Sequence, residues 1–341
     1  MLRGMNGAAN TVPVTILTGF LGSGKTTVLN RLLRQPSLAD TVVIVNEFGA
    51  VGIDHLLIEQ AIEDAVLLKN GCICCTVRGD IADTLDVLWQ RRERGELPPF
   101  RRIAIETTGL ADPAPVAHAL LAEPGARYAC RLDGIVTTVD ALLGPRQLDR
   151  QPEARRQVAM ADRILLTKTD LASADEIADV TRCITALNAS APLRHVVAGA
   201  ADPTDVFDLG PDPARLAEWL RPLDAGGHAG HQHLAFRHAE AIGSVVLRSD
   251  QPITWRALQY WLDSLLSLRG DAVLRLKGIV WIEGETQPIV LQAVHHVVHP
   301  PVRLDRAVQP AGATRIVLIT RGLSAVGLRA SFAAAMAVQA P

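Results

Sequence analysis

Residues 19–27 read Gly-Phe-Leu-Gly-Ser-Gly-Lys-Thr-Thr, and this stretch limits what the chain can fold into more than any other. Before it lies the apolar, β-branched run Val12 to Thr18. After it comes Val28-Leu29-Asn30-Arg31-Leu32-Leu33, with apolar residues at helical spacing. A strand, a glycine-rich turn and a helix are the context in which G-x-x-x-x-G-K-[ST] becomes a phosphate-binding loop. The glycines let successive backbone N–H groups converge on one anion, and the helix N-terminus adds its positive end. Gly22, Ser23, Gly24, Lys25, Thr26 and Thr27 are the binding residues this pattern predicts. Lys25 would reach the β- and γ-phosphates, and the Thr26 hydroxyl would ligate Mg²⁺. A chain organised in this way binds a nucleotide.

With 341 residues, the chain is long for one core, so one large and one smaller domain are expected. Aromatics make up 4%, which leaves Leu, Val, Ile and Ala to build the cores. A net charge of −2 gives no electrostatic reason to expect a nucleic-acid partner. Met1 to Thr11 lacks the apolar centre of a secretory signal, and no apolar stretch is long enough to span a bilayer. The expectation is a soluble cytoplasmic protein with no membrane partner, in a compartment where thiols stay reduced. Its five cysteines then read as metal or redox groups.

Short apolar runs recur at Thr41–Asn46, Ala65–Leu68, Arg102–Ile105, Gly134–Val139, Arg163–Thr167 and Leu193–Val197. Helical patterns lie between several of them, as at Asp80–Arg94 and Asp175–Leu187. Such alternation predicts an α/β domain: a mostly parallel sheet covered on both faces, with its site in the loops at the carboxyl ends of the strands. Near Pro203 the composition changes, and residues 226–233 (Gly-Gly-His-Ala-Gly-His-Gln-His) are turn-rich. Beyond them, strand-like runs at Ala241–Leu247, Val273–Ile282, Pro288–Ala293 and Thr314–Thr320 and a helix at Trp255–Leu268 predict a smaller α+β domain with an antiparallel sheet. The expected boundaries are an N-terminal segment 1–11, a nucleotide domain 12–202, a linker 203–233, a second domain 234–327 and a tail 328–341.

Four further groups carry chemistry. Glu106 ends an apolar strand downstream of the phosphate loop, where it can orient a water or hold Mg²⁺ through one. The other use for a carboxylate here, capping the helix that begins near Pro113, suits Asp112 better. Thr167-Lys168-Thr169-Asp170 follows another strand. An Asp there can accept N1–H and the 2-amino group of guanine, which adenine does not offer, and the Lys stem can lie along the base plane. Cys72-Ile73-Cys74-Cys75 places three thiols in four residues, enough to contribute two or three sulfurs to Zn²⁺, Co²⁺ or Cu⁺; a small buried turn or a redox pair is the other reading. His228, His231, His233 and His238 lie in or beside the linker and can capture metal weakly or be merely solvated. His295, His296 and His299 lie near the last strands; on a regular strand His295 and His296 would face opposite ways and could not share one ion.

In order, GFLGSGKTT, NEFG, GCICC, ETTGLADP, TVDA and TKTD resemble the CobW-like branch of the P-loop GTPases, proteins of metal-centre assembly. The resemblance covers about residues 12–200 and continues at about 240–325, where VLQAVHHVVHPP and RIVLITRGL are similar to the family's C-terminal domain. It implies a low-turnover GTPase that binds GTP, Mg²⁺ and Zn²⁺ or Co²⁺ and passes the transition metal to a metalloprotein client. Carried residue by residue, it makes Gly22 to Thr27 the phosphate loop, with Lys25 and Glu106 catalytic. Cys72, Cys74 and Cys75 become the metal loop, and Thr167, Lys168 and Asp170 the base-reading loop. The chain departs from the family in two respects. Thr167 stands where the N-K-x-D loop has Asn, which keeps a hydroxyl and loses an amide that would reach N7 of the base. Val45 and Ala50 flank NEFG where some members carry carboxylates. A different class remains open, a nucleotide-gated protein-interaction module with structural cysteines, as does an ATP-dependent enzyme.

Overall fold

The run before the glycine-rich turn forms β1 (Val12–Gly19), with seven of its eight residues buried. The structure is a computed structural model that describes residues 11–46, 66–67, 73–77, 81–121, 130–210, 242–304 and 313–337. The chain divides into two units. In the first, β1 is followed by β2 (Thr41–Asn46), β3 (Val66–Leu67), β4 (Ile73–Val77), β5 (Arg102–Thr107), β6 (Cys130–Asp140), β7 (Arg163–Thr167) and β8 (Leu193–Val196). Their spatial order is β3-β4-β2-β5-β1-β6-β7-β8. Every pairing is parallel except that of β3 with β4. The order reverses at β1, between β5 and β6, and that reversal puts a crevice beyond the carboxyl end of β1.

The crossovers carry α1 (Lys25–Leu32), α2 (Ile81–Glu93), α3 (Ala114–Leu121), α4 (Gly144–Arg150), α5 (Pro152–Met160) and α6 (Ala174–Leu187). Leu17, Val43, Ala104, Val136, Leu165 and Val196, one from each of six strands, share a core with Val28, Leu29 and Leu32 of α1. The helix that opens after the glycine-rich turn is thus held down on the sheet by the apolar stripe visible in its sequence. β6 starts four residues before the expected Gly134. Its polar residues are accommodated because Asp133 is skipped in the pairing with β1, where Val14 and Thr15 oppose Leu132 and Gly134. The Asp133 carboxylate accepts from the main-chain N–H groups of Leu209 and Gly210; burial raises its pKa, and the Leu209 bond and the Arg131 guanidinium oppose the rise.

The second unit holds β9 (Ile242–Ser249), α7 (Trp255–Arg269), β10 (Val273–Val280), β11 (Ile289–Val294), β12 (Val297–Val298), β13 (Val302–Arg303), β14 (Thr314–Arg321) and α8 (Ala325–Ala337). The strands form an antiparallel sheet in the order β12-β11-β10-β14-β9, with β13 on β11. Residues 328–337, expected as tail, are helical. Leu328 and Phe332 of α8 enter the core, where the Phe332 ring meets that of Trp261 edge to face at 5.1 Å. Alanine-rich, with Arg329 and Ser331 as its polar residues, that segment lacks the polar alternation that makes an amphipathic helix legible. Among the described residues no helix is long and apolar enough to cross a membrane.

Candidate functional site

The loop between β1 and α1 is braced from below by hydroxyls. Ser23, fully buried, pairs its Oγ with Oγ1 of Thr138 at 2.6 Å, and Thr138 donates onward to the carbonyl of Thr18. Thr107 Oγ1 donates to Thr18 Oγ1 at 2.8 Å. Gly19 sits at φ +141°, and an added Cβ would collide with Oγ1 and O of Thr138. The ends of β5 and β6 therefore form a floor under the turn. Gly24 caps α1 with left-handed backbone, and Thr26 and Thr27 are exposed at the helix start.

Lys25 folds back so that Nζ donates to the carbonyls of Gly19 (2.8 Å) and Phe20 (3.3 Å). Burial pulls its pKa below the usual 10.5, and the charge of Glu106 opposes that shift. Glu106, at the end of β5 and 6% exposed, accepts at Oε1 from the Thr26 hydroxyl at 2.5 Å. A hydroxyl and a carboxylate meeting beside a phosphate-type loop are an all-oxygen donor set of the kind hard Mg²⁺ prefers. Asp112 takes the capping role, accepting from the N–H of Ala114 at 2.9 Å.

Thr167, Lys168 and Asp170 lie at the end of β7 and in the loop after it. Thr167 is buried and donates from Oγ1 to the carbonyl of Ser23 at 2.7 Å, with that of Val139 at 3.1 Å. Its hydroxyl thus ties the phosphate loop to β7, facing the loop rather than solvent. Lys168 has φ +58° and donates from Nζ to Asp140 Oδ2 at 2.6 Å and to the Gly22 carbonyl at 2.9 Å. Asp170 is exposed in the same loop. Gly22, Ser23, Gly24, Lys25, Thr26, Thr27, Glu106, Thr167, Lys168 and Asp170 are all brought to one end of the sheet.

Two of the three cysteines of the Cys72–Cys75 segment lie on a strand of the same sheet. Cys74 and Cys75 lie within β4, paired with Val43 and Ile44 of β2, rather than in a loop. The run Ile73-Cys74-Cys75-Thr76-Val77 has the β-branched character that favours a strand. Cys72 lies outside the described residues, as do His228, His231, His233 and His238. His295 and His296 are the two turn residues between β11 and β12, not strand residues, with His295 at φ +49°. Among the described residues no group of three or more His, Cys, Asp or Glu is placed to hold a metal.

Residues 13–195 match the family described as CobW/HypB/UreG, nucleotide-binding domain, and residues 242–336 match the cobalamin synthesis protein cobW C-terminal domain. The chain belongs to the CobW/HypB/UreG family. It is 33% identical over 288 residues to the zinc chaperone YjiA of Escherichia coli strain K12, covering 84% of this chain and 87% of that protein. It is 32% identical over 365 residues to the zinc chaperone CobW of Pseudomonas aeruginosa, covering 96% and 92%. The crystal structure of Zn(II)-bound YjiA GTPase from E. coli superposes with a TM-score of 0.73 at 30% identity, over 95% of this chain and 99% of that one.

Three residues that contact the loops of this site, Thr138, Asp140 and Gln157, are not legible as such in the sequence. Thr138 and Asp140 belong to the quoted TVDA motif, where only their position at the end of an apolar strand hints at a role. Gln157 has no sequence signal at all. It is fully buried on α5, and its Nε2 donates to the carbonyls of Gly109 (3.2 Å) and Ala111 (3.0 Å) in the loop after Glu106. That loop presses on the phosphate loop, since a Cβ at Gly109 would stand 2.6 Å from the N atom of Leu21. Gln157→Met would strip both carbonyls of their donor while also removing the buried, unpartnered Oε1. It is expected to lower unfolding stability by about 1–2 kcal/mol, the size of one or two neutral hydrogen bonds, measured by urea titration.

Proposed function

We propose that the protein is a GTP-dependent zinc carrier: it binds Mg²⁺-GTP at the phosphate loop, binds zinc through Cys72, Cys74 and Cys75, with β4 leaving regular strand geometry at Cys74-Cys75 so that both can face one ion, and delivers it to a metalloprotein client in the cytoplasm. The relatives' description as zinc chaperones and as a GTPase supports this reading and favours zinc over cobalt. Backbone N–H groups of residues 22–27 and the Lys25 ammonium would hold the phosphates. Thr26, with Glu106 directly or through water, would hold Mg²⁺, which would neutralise phosphate charge. Asp170 would read guanine along a base plane flanked by the Lys168 stem. Glu106 would orient the attacking water.

One observation carries the link between nucleotide and metal. In the sheet register Cys75 pairs with Ile44, and Ile44 pairs with Ile105, the neighbour of Glu106. The cysteine strand and β5, which carries Glu106, are separated only by β2, a distance of about 10 Å at ordinary strand spacing. β2 ends at Asn46 of the Asn46-Glu47-Phe48-Gly49 motif, so a nucleotide contact to that motif would act on the strand beside the cysteines. GTP binding then tightens zinc, and hydrolysis loosens it for transfer. Support for a protein client comes from the exposed leucines around the site. Leu21, Leu110, Leu143 and Leu171 are each at least 50% exposed and lie in loops at the carboxyl ends of β1, β5, β6 and β7.

Linkage requires nucleotide and zinc to tighten each other by the same factor. Calorimetric titration of Zn²⁺ into protein loaded with a non-hydrolysable GTP analogue is expected to give an affinity roughly 5- to 150-fold above that of the GDP form. Equal affinities in the two states would exclude the mechanism.

A further inference from the structure

Asp140 closes β6 with its side chain 1% exposed. Oδ1 accepts from the main-chain N–H groups of Leu142 (2.8 Å) and Leu143 (3.0 Å), which fixes the plane of the carboxylate. Oδ2 is left to face one group, the Lys168 ammonium at 2.6 Å. The same ammonium reaches the Gly22 carbonyl, so the chain of contacts runs from β6 through the loop after β7 to the phosphate loop. Lys168 holds a left-handed backbone, which a residue with a Cβ adopts at a penalty and keeps only where its surroundings enforce it. The surroundings here are the preceding residue Thr167, tied to the phosphate loop by its hydroxyl, and the Asp140 carboxylate and Gly22 carbonyl that hold the side chain.

We propose that Asp140 is a positioning residue for nucleotide recognition: it anchors the Lys168 ammonium so that the lysine stem lies in a fixed place beside the purine and so that the base loop and the phosphate loop move as one. It touches no substrate. A buried carboxylate whose geometry is set by two main-chain donors makes a directional anchor, and a charge-assisted bond is stronger than a neutral one. Without it the Lys168 side chain regains its rotamers, and the base must order it on binding. The proposal rests on the nucleotide-binding reading above and adds to it a residue that acts only through Lys168.

A double-mutant cycle tests it. Asp140→Asn keeps an oxygen for Leu142 and Leu143 but removes the charge that holds Lys168. Fluorescent GDP titration is expected to show about ten- to a hundredfold weaker binding, with thermal unfolding confirming a folded protein. Lys168→Met is expected to lose a similar factor, and adding Asp140→Asn to Lys168→Met is expected to lose little more, because the anchor then has nothing to hold. Additive losses would overturn the proposal and leave Asp140 as a loop cap. Should Asp140→Asn not fold, Lys168→Arg against Lys168→Met decides: arginine can still reach the carboxylate and is expected to restore most of the affinity, whereas equal affinity of the Met variant and the unmodified protein would overturn the proposal. Titrating the unmodified protein with ATP and GTP separates the two readings. An ATP preference would refute guanine recognition, while the cycle, run with the preferred nucleotide, still reports on Asp140.

Discussion

Gly19→Ala is expected to abolish measurable nucleotide binding and to lower unfolding stability by about 3 kcal/mol. Two penalties coincide there. The backbone sits at φ +141°, which an L side chain resists by about 1–2 kcal/mol. The new methyl group would also collide with the Thr138 hydroxyl and carbonyl and lie 2.8 Å from Ser23 Oγ. Thr138 cannot retreat, because Gly19 and Thr138 are register partners between β1 and β6 in the middle of the sheet. Forcing atoms into a packed interior of this kind costs about 1–3 kcal/mol further. The strain has one outlet, outward displacement of the loop whose N–H groups must converge on phosphate. Gly22→Ala provides the contrast: its φ is +74°, but the added Cβ would meet nothing within 4 Å, so a loss of only about 1–2 kcal/mol is expected. Urea denaturation and titration with a fluorescent guanine nucleotide measure both effects. Equal losses at the two positions would mean that backbone conformation alone matters and that the Thr138 wall does not.

What could be read from the chain beforehand divides along a physical line. Strands buried on both faces announce themselves as unbroken apolar runs, so β1, β2, β5 and β7 stand almost where the residues put them. Motifs that end such strands, Glu106 and Thr167-Lys168-Thr169-Asp170, are placed by the same logic. Partners across the sheet are not legible, because they depend on strand order. Gln157 lies 48 residues from the Gly109 carbonyl it holds, and Thr138 lies 115 residues from Ser23. The Thr167 substitution illustrates the difference. By composition it loses an amide to the base; in the fold its hydroxyl is spent on the Ser23 carbonyl, a contact invisible until β7 and the phosphate loop are side by side. The cysteine segment differs from the expected loop for a local reason. Three cysteines in four residues suggest a ligand loop, yet Ile73, Thr76 and Val77 around them favour extended backbone, and strand pairing with β2 prevails. α8 is not legible in the chain because its alanines and other small residues leave no helical periodicity.

Glu106→Gln is expected to slow GTP hydrolysis at least about a hundredfold while leaving nucleotide affinity within a few-fold, as removal of a water-orienting carboxylate does. The amide retains an oxygen for the Thr26 hydroxyl, so the contact at 2.5 Å survives in kind and only the charge is lost. Single-turnover phosphate release, measured beside GDP affinity, distinguishes the two uses of this residue. If Glu106 serves only to hold Thr26, the glutamine variant should turn over normally. The charge has a second consequence at Lys25. Burial already depresses the pKa of Lys25, and attraction from Glu106 is the influence that opposes this. Removing it must lower the pKa further, since the ammonium loses its stabilising neighbour while its burial is unchanged. Lysine binds phosphate in its charged form, so as pH rises the glutamine variant should lose nucleotide affinity before the unmodified protein does. A parallel decline of the two proteins with pH would show that Glu106 does not act on Lys25, even if hydrolysis fell as expected. The two readouts therefore examine separate roles of one carboxylate: the hydrolysis rate reports on the water beside the γ-phosphate, and the alkaline limit of binding reports on the lysine beneath it.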